Sequence, residues 1–287
     1  MTRKPRFAGS FYPNNSNDLN KQISECFEHK LGPGDLPVNK RTKSIKGVIA
    51  PHAGYVFSGP CAAWSFKEIG ESEFPDIYII LGPDHHGSGT CISLENWDTP
   101  NGTVRVDKTF GEALLQKHKT LKVNESAHQE EHSIEVQLPF LQFVSNDKMH
   151  ELKILPIIVS HDCDYKKLAL DIKDLLIEQG KKSVFIVSSD FTHYGRNYHH
   201  LPFTTDIKKR IYDGDQVALD IIKKGKAEEF LKFTNDNLMT ICGDMPIALF
   251  LKCIKSEKVS VEQYYTSADI TESDYKNSVS YASVIFY

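Results

Sequence analysis

Five short segments of this 287-residue chain bring together imidazole, thiol and carboxylate groups. They are Pro51-His52-Ala53-Gly54-Tyr55, Gly82-Pro83-Asp84-His85-His86, Glu131-His132-Ser133-Ile134-Glu135, Ser188-Ser189-Asp190-Phe191-Thr192-His193 and Ile241-Cys242-Gly243-Asp244. Neutral imidazole and thiolate are ligands for iron, copper and zinc. Imidazole also titrates near neutral pH, which suits a general acid or base. The pattern therefore points to a metal site, an acid/base site, or both.

His52 follows the apolar run Val48-Ile49-Ala50-Pro51. Pro51 keeps the residue before it extended, and Gly54 permits a tight turn behind it. His85 and His86 end a second apolar run. Adjacent side chains diverge, so one ring, read here as His85, faces a pocket while His86 is held outside it. Asp84 is placed to orient a ring by accepting its other N–H. Asp190 and His193 follow a third run, with the carboxylate positioned to orient or activate the imidazole; a helix-capping Asp190 is the competing reading. His128-Gln129-Glu130-Glu131-His132 has the histidine spacing of a zinc protease. Gln129 stands where that motif needs its catalytic glutamate, which excludes the assignment. His132 and Glu135, one turn apart at an expected helix start, either line the pocket or form a helix-face pair. Cys242 precedes an apolar helix, whose backbone N–H groups favour a thiolate. It reads as a metal ligand, as a nucleophile served by His193 and Asp190, or as an inert buried thiol.

Positioning these groups requires strands, and the sequence supplies them. Runs at Lys46–Ala50, Asp76–Leu81, Leu152–Val159, Ser183–Ser188, Gln263–Ser267 and Ser280–Phe286 are rich in Val and Ile. Such runs mark strands buried on both faces. Helical spacing appears at Asn17–His29, Pro60–Ile69, Phe110–His118, Ile134–Val144, Tyr165–Glu178, Ile207–Lys224 and Pro246–Ile254. The alternation predicts one α/β domain over residues 1–287, with a central, mainly parallel sheet flanked by helices. Gly89–Val106 reads as an antiparallel hairpin at the sheet edge. Gly32–Pro37, the one linker-like stretch, lies too near the start to divide two domains. In such sheets ligands bind beyond the carboxyl ends of the strands, so residues distant in sequence would meet there.

Composition sets the remaining bounds. Apolar residues make up 40% and charged residues 25%, as in an ordinary globular chain. A net charge of −4 argues against a nucleic-acid surface, and the basic stretch Lys40–Lys43 reads as a solvated loop. No apolar run approaches bilayer length and no leader-like segment opens the chain, so a cytoplasmic protein without membrane contact is expected. Cys26, Cys61, Cys91, Cys163, Cys242 and Cys253 form no C-x-x-C pair, which argues against a cysteine-rich zinc site.

Taken together, the five segments resemble the Memo family, the mediator of cell motility and its prokaryotic homologues. Ala8-Gly9-Ser10-Phe11-Tyr12-Pro13 and Ser278-Val279-Ser280-Tyr281-Ala282 extend the likeness from end to end. The family is similar in fold to the LigB-like class III extradiol dioxygenases. The resemblance implies metal ligation by His52, His85 and Cys242, with His193 as acid/base and Asp190 beside it. The dioxygenases use two His and a carboxylate, so a Cys242 ligand is a departure that sets ring cleavage aside. Two imidazoles and a thiolate suit Fe(II), Cu or Zn, and the resemblance implies Fe(II) first. Three functions arise as expectations: redox or oxygenase-like chemistry on a small substrate, a module binding a phosphopeptide or protein in the same pocket, or a Cys-dependent hydrolase. The phosphopeptide role would want an arginine cluster, which the sequence lacks. Prokaryotic members also imply a link to radical-SAM and AMMECR-type proteins.

Overall fold

The structure, a computed structural model, describes residues 2–38 and 41–287. Of the basic stretch, Lys40 thus lies outside the described residues, while Arg41 pairs with Asp147 and Lys43 with Glu68 and Glu71. The chain opens with β1 (Thr2–Arg3) and α1 (Ser16–Glu28). Asn15 caps α1 through the N–H of Asp18, and Leu19, Ile23, Cys26 and Phe27 form its buried stripe. Next come β2 (Gly47–Ala50), α2 (Tyr55–Glu71) and β3 (Ile77–Pro83). The short strands β4 (Cys91–Ile92), β5 (Asn96–Thr99) and β6 (Gly102–Val106) precede α3 (Lys108–Lys117), β7 (Lys122–Val123) and α4 (Glu125–Glu130). Helix α5 (Leu138–Val144), β8 (Lys153–Val159), α6 (Tyr165–Glu178) and β9 (Ser183–Ser188) come next. The last third holds β10 (His193–Gly195), α7 (Ile207–Lys223), α8 (Ala227–Asp236), α9 (Asp244–Cys253), β11 (Val259–Thr266), α10 (Ser267–Thr271) and β12 (Asn277–Phe286).

Neighbouring strands run in the order β1-β5-β6-β8-β3-β9-β2-β12-β10, with β11 on β12 and β4 and β7 attached beside β8. The central strands β6, β8, β3, β9 and β2 are parallel; β12 is antiparallel to β2. Every residue of β3 is buried, and alternate side chains serve different cores. Ile79 and Leu81 join α6 and α9 on one face, while Tyr78 and Ile80 join α1, α2 and α5 on the other. The result is a single α/β domain. No helix among the described residues is long and apolar enough to cross a membrane.

The strand order explains where chemistry can occur. β9 comes late in the chain yet lies between β3 and β2. The carboxyl ends of these three strands, Pro83, Ser188 and Ala50, are therefore neighbours, and the segments beyond them face one crevice.

Three expectations change. Helix α2 begins at Tyr55, not Pro60. Proline lacks the N–H that would bond to the carbonyl of Val56, so the helix runs through Pro60 with that one bond missing. Within Gly89–Val106 the expected antiparallel hairpin is formed by β5 and β6, but β4 is not part of it. β4 and β6 share the outer edge of β8, and β1 lies beyond β5. The helix expected at Ile134–Val144 is a 3-10 turn, Glu135–Gln137, leading into α5 with Pro139 in its first turn. His132 and Glu135 therefore do not share a helix face.

The α4 segment points His128 away from the crevice and into the core, edge-on to Trp97. Its ring nitrogens lack a well-formed hydrogen bond among the described residues. Burial lowers its pKa from 6.5 to about 3. Between those values the unfolded chain takes up a proton that the folded chain refuses, so stability falls as pH falls through the window. The share of this group is about 2 kcal/mol at pH 5 relative to pH 7.5. Denaturant melts of H128F are expected to lose that part of the acid slope; slopes identical to wild type would refute the assignment.

Candidate functional site

One donor atom from each of His52, His85 and Cys242 lies within 4.8 Å of the other two. Cys242 Sγ is 3.1 Å from His52 Nε2. The two imidazoles are nearly perpendicular, at 85° with centroids 5.3 Å apart, so their planes intersect and both can address one point. His52 is buried, whereas His85 is open to solvent and Cys242 intermediate, which leaves the group reachable from outside.

Each ring is held in a defined tautomer. The Ser188 hydroxyl donates to the Ser133 carbonyl at 2.7 Å, so its lone pairs must receive His52 Nδ1–H at 2.9 Å and Gln137 Nε2 at 2.9 Å. His52 Nε2 is thus the bare nitrogen facing Cys242. Glu131 takes His85 Nδ1–H at 2.9 Å and the backbone N–H of His85 at 3.0 Å. His85 Nε2 is left free. An imidazole whose second nitrogen is anchored to oxygen is the usual support of a metal-binding histidine.

Two glycines let the strand ends come this close. A Cβ on Gly82 would stand 2.5 Å from Ser133 Oγ, and one on Gly243 would stand 2.4 Å from Ser189 Cβ. The first contact brings the Glu131 segment against β3, and the second brings Cys242 against the end of β9.

The charges depend on burial and on these partners. Burial, with His85 beside it, holds His52 well below the ordinary imidazole value. Burial would also lower His85, but the hydrogen bond and charge of Glu131 outweigh it and raise that ring. Burial and then the Asp190 carboxylate push the Cys242 thiol well above its ordinary value. This reverses the expectation of a thiolate stabilised by α9. The N–H that reaches Sγ comes from Asp190 at 3.2 Å, and the N–H of Gly243 goes to Ser189 Oγ instead.

His132 packs between His85 (centroids 4.8 Å apart, 17° between planes) and Phe11 (4.7 Å). Burial and the neighbouring rings lower it to about 3. His85, Glu131 and His132 form a second cluster with metal-ligand spacing. Stacked rings share no plane in which a cation could meet both lone pairs; Glu131 instead accepts from His85 Nδ1 at 2.9 Å, while His132 Nδ1 stands farther from it at 3.5 Å. His193 stands at the rim with Tyr198 edge-on at 5.3 Å.

Several expected roles move. Asp84 does not orient His85. Its carboxylate is captured by its own loop, through the N–H groups of Ser88 at 3.0 Å and Gly89 at 2.8 Å. Glu131, to which its place in the sequence gives no role, does that work from 46 residues away. His86 lies exposed outside the cluster. Glu135 is buried but serves the N-terminal segment: Arg3, the N–H groups of Arg6 and Phe7, and the Tyr12 hydroxyl. Among the described residues, Asp190 caps no helix and makes no hydrogen bond to His193; it accepts the backbone N–H of His52 at 2.8 Å. The nucleophilic alternative changes too, because the base beside Cys242 is His52, not His193.

A family model described as "Memo-like protein" matches residues 3–285. The chain belongs to the Memo family. This Memo-family chain is 37% identical to a MEMO1 family protein of Methanopyrus kandleri, over 100% of its own length and 99% of the relative's. It is 36% identical to one from Methanocaldococcus jannaschii, covering 99% and 98% of the two chains. A MEMO1 family protein of Nitrosopumilus maritimus is 34% identical over the whole of both chains. Among solved structures, an uncharacterized protein from Escherichia coli K12 superimposes with a TM-score of 0.56 at 11% identity, covering 85% of this chain and all of that one. That likeness speaks for the fold alone.

Proposed function

We propose that this Memo-family chain binds a transition metal through His52, His85 and Cys242, and that the site performs redox or oxygenase-like chemistry on a small molecule. The supporting observation is the convergence of three anchored donors, one thiol and two bare imidazole nitrogens, at one partly open point. Fe(II) is the metal we take first, and the donor set equally admits Cu or Zn. Iron or copper would supply electron transfer and open positions for exogenous ligands; zinc would supply Lewis acidity. The chain's own residues do the positioning. Ser188 and Glu131 hold the rings, the Asp190 segment fixes the backbone of His52, and His193 offers an imidazole for proton transfer at the rim.

The test is metal content. Protein purified without added metal is expected to carry close to one metal ion per chain, and C242A at least about tenfold less. Equal iron, copper and zinc in the two proteins would defeat the proposal. The 3.1 Å contact of Cys242 Sγ with His52 Nε2 favours one further reading, a thiol nucleophile with His52 as base and Ser188 as its anchor. That reading requires turnover that survives chelators and is lost when an electrophile labels Cys242.

A further inference from the structure

His193 carries the acid/base role in the proposed function, and the part assigned to Thr240 rests on that role. In β10 His193 faces Val279 of β12, but it is not the residue that makes the ladder bonds. Those run through its neighbours, with the Ser280 N–H on the Thr192 carbonyl at 3.0 Å and the Phe191 N–H on the Ser280 carbonyl at 2.8 Å. In an antiparallel pair this leaves the N–H and C=O of His193 pointing away from β12, toward an edge with no further strand among the described residues. Unpaired backbone groups in a partly buried position are costly.

One side chain fills that edge. Thr240 Oγ1 accepts the His193 N–H at 2.8 Å and donates to the His193 carbonyl at 2.9 Å. The hydroxyl thus performs both functions of a missing strand residue. The Thr240 carbonyl also meets His193 Nδ1 at 3.0 Å, and the Phe191 carbonyl meets the same atom at 2.9 Å. Carbonyls only accept, so Nδ1 carries a proton, and in the neutral ring the lone pair is on Nε2. The loop carrying Thr240 leaves α8 through Leu238, an exposed non-glycine residue in the left-handed region at φ 50°. Such a conformation persists where surrounding contacts determine it. The same loop delivers Cys242 two residues later.

We propose that Thr240 is a positioning residue: its hydroxyl and carbonyl clamp His193 so that the ring presents Nε2 at a fixed place relative to His52, His85 and Cys242. A valine here would keep the shape and remove both hydroxyl bonds. The loop would then be free to shift its carbonyl off Nδ1.

The experiment uses the full chain with Zn(II), a diamagnetic probe, and nitrogen-15 in the histidine rings. Wild type is expected to show His193 as a single Nδ1–H tautomer. T240V is expected to show a mixture of tautomers. Amide hydrogen exchange at His193 should be about tenfold faster in that variant, while Ser280 stays protected. T240S should restore both readouts, and T240A provides the second hydroxyl-free variant should T240V fold poorly. A purely structural role would change stability without changing the tautomer. An Nε2–H ring in wild type, wild-type behaviour in T240V and T240A, or failure of T240S to restore it would each overturn the proposal. Absence of Zn(II) binding in wild type would instead count against the metal reading, and the tautomer measurement would still decide the role of Thr240.

Discussion

Replacing Arg3 by alanine is expected to cost this protein about 3–5 kcal/mol of folding stability. Arg3 and Glu135 form an ion pair at 2.5 Å, with side chains 1% and 0% exposed. The guanidinium also donates to the carbonyls of His128 at 2.7 Å and Glu131 at 3.3 Å, and it lies 4.0 Å over the Trp97 ring. Truncation removes the counter-charge while the Glu135 carboxylate stays in the interior, held by Phe7 N–H at 2.8 Å and Tyr12 hydroxyl at 2.7 Å. Breaking a buried pair from one side is costly because the remaining charge is uncompensated, whereas replacing both partners by apolar residues is often neutral or better. The double variant R3M/E135L is therefore expected to recover only part of the loss, because it also removes the acceptor of the Arg6 and Phe7 N–H groups and of the Tyr12 hydroxyl. Denaturant melts at pH 7 decide the matter. An R3A cost under about 1 kcal/mol would mean that the N-terminal segment lifts away and lets water reach Glu135. Rapid amide exchange over residues 2–12 would reveal that escape. The consequence reaches the crevice, because Phe7 and Phe11 in this segment pack on His132.

The Arg3–Glu135 pair also shows why some of this molecule is legible in its sequence and some is not. β2, β3 and β9 announce themselves as continuous apolar runs, because strands covered on both faces need no polar alternation. The groups beyond such runs must collect at one end of a parallel sheet, which brings out His52, His85 and Asp190 without coordinates. Cys242 and His193 emerge from their places at an apolar helix and just beyond β9. Pairings between distant irregular segments carry no such signal. Arg3 and Glu135 are separated by 132 residues, and Glu131 and His85 by 46. Asp84 reads as the orienting carboxylate because it is adjacent to His85, but a short acidic side chain in a turn is captured first by its own loop. Helix α8 has its buried residues at Ala227, Phe230 and Thr234, a three-four spacing blurred by the apolar Leu231 and Phe233 off that stripe and by the charged residues between them. The early start of α2 is hidden by Pro60, which removes an interior helix hydrogen bond and so reads in the sequence as a helix start rather than an interior residue.

The assignment of Glu131 as the carboxylate behind His85 has a sharp consequence. E131Q is expected to weaken metal binding by about 10–100-fold, the usual effect of removing a ligand's hydrogen-bonding support. Glu131 is 1% exposed, and its two oxygens receive three N–H groups: the ring and backbone of His85 and the backbone of Ser133 at 2.9 Å. Glutamine keeps the volume but replaces one acceptor oxygen with an N–H2 donor. One N–H of the trio must then face another donor, and either the ring turns or the loop moves. Burial would push the Glu131 carboxyl up, but its hydrogen bond and charge contact with His85 bring it below the usual carboxylate range. The negative charge that raises the basicity of His85 is therefore present at neutral pH in wild type and absent in E131Q. D84N is the matched control, since Asp84 touches only its own loop, and its affinity should stay within about twofold of wild type. Competition titrations of Zn(II) against a chromophoric chelator would measure all three proteins. A tenfold loss in D84N with E131Q unchanged would return the orienting role to Asp84. Equal affinities in all three would show that His85 needs no carboxylate behind it.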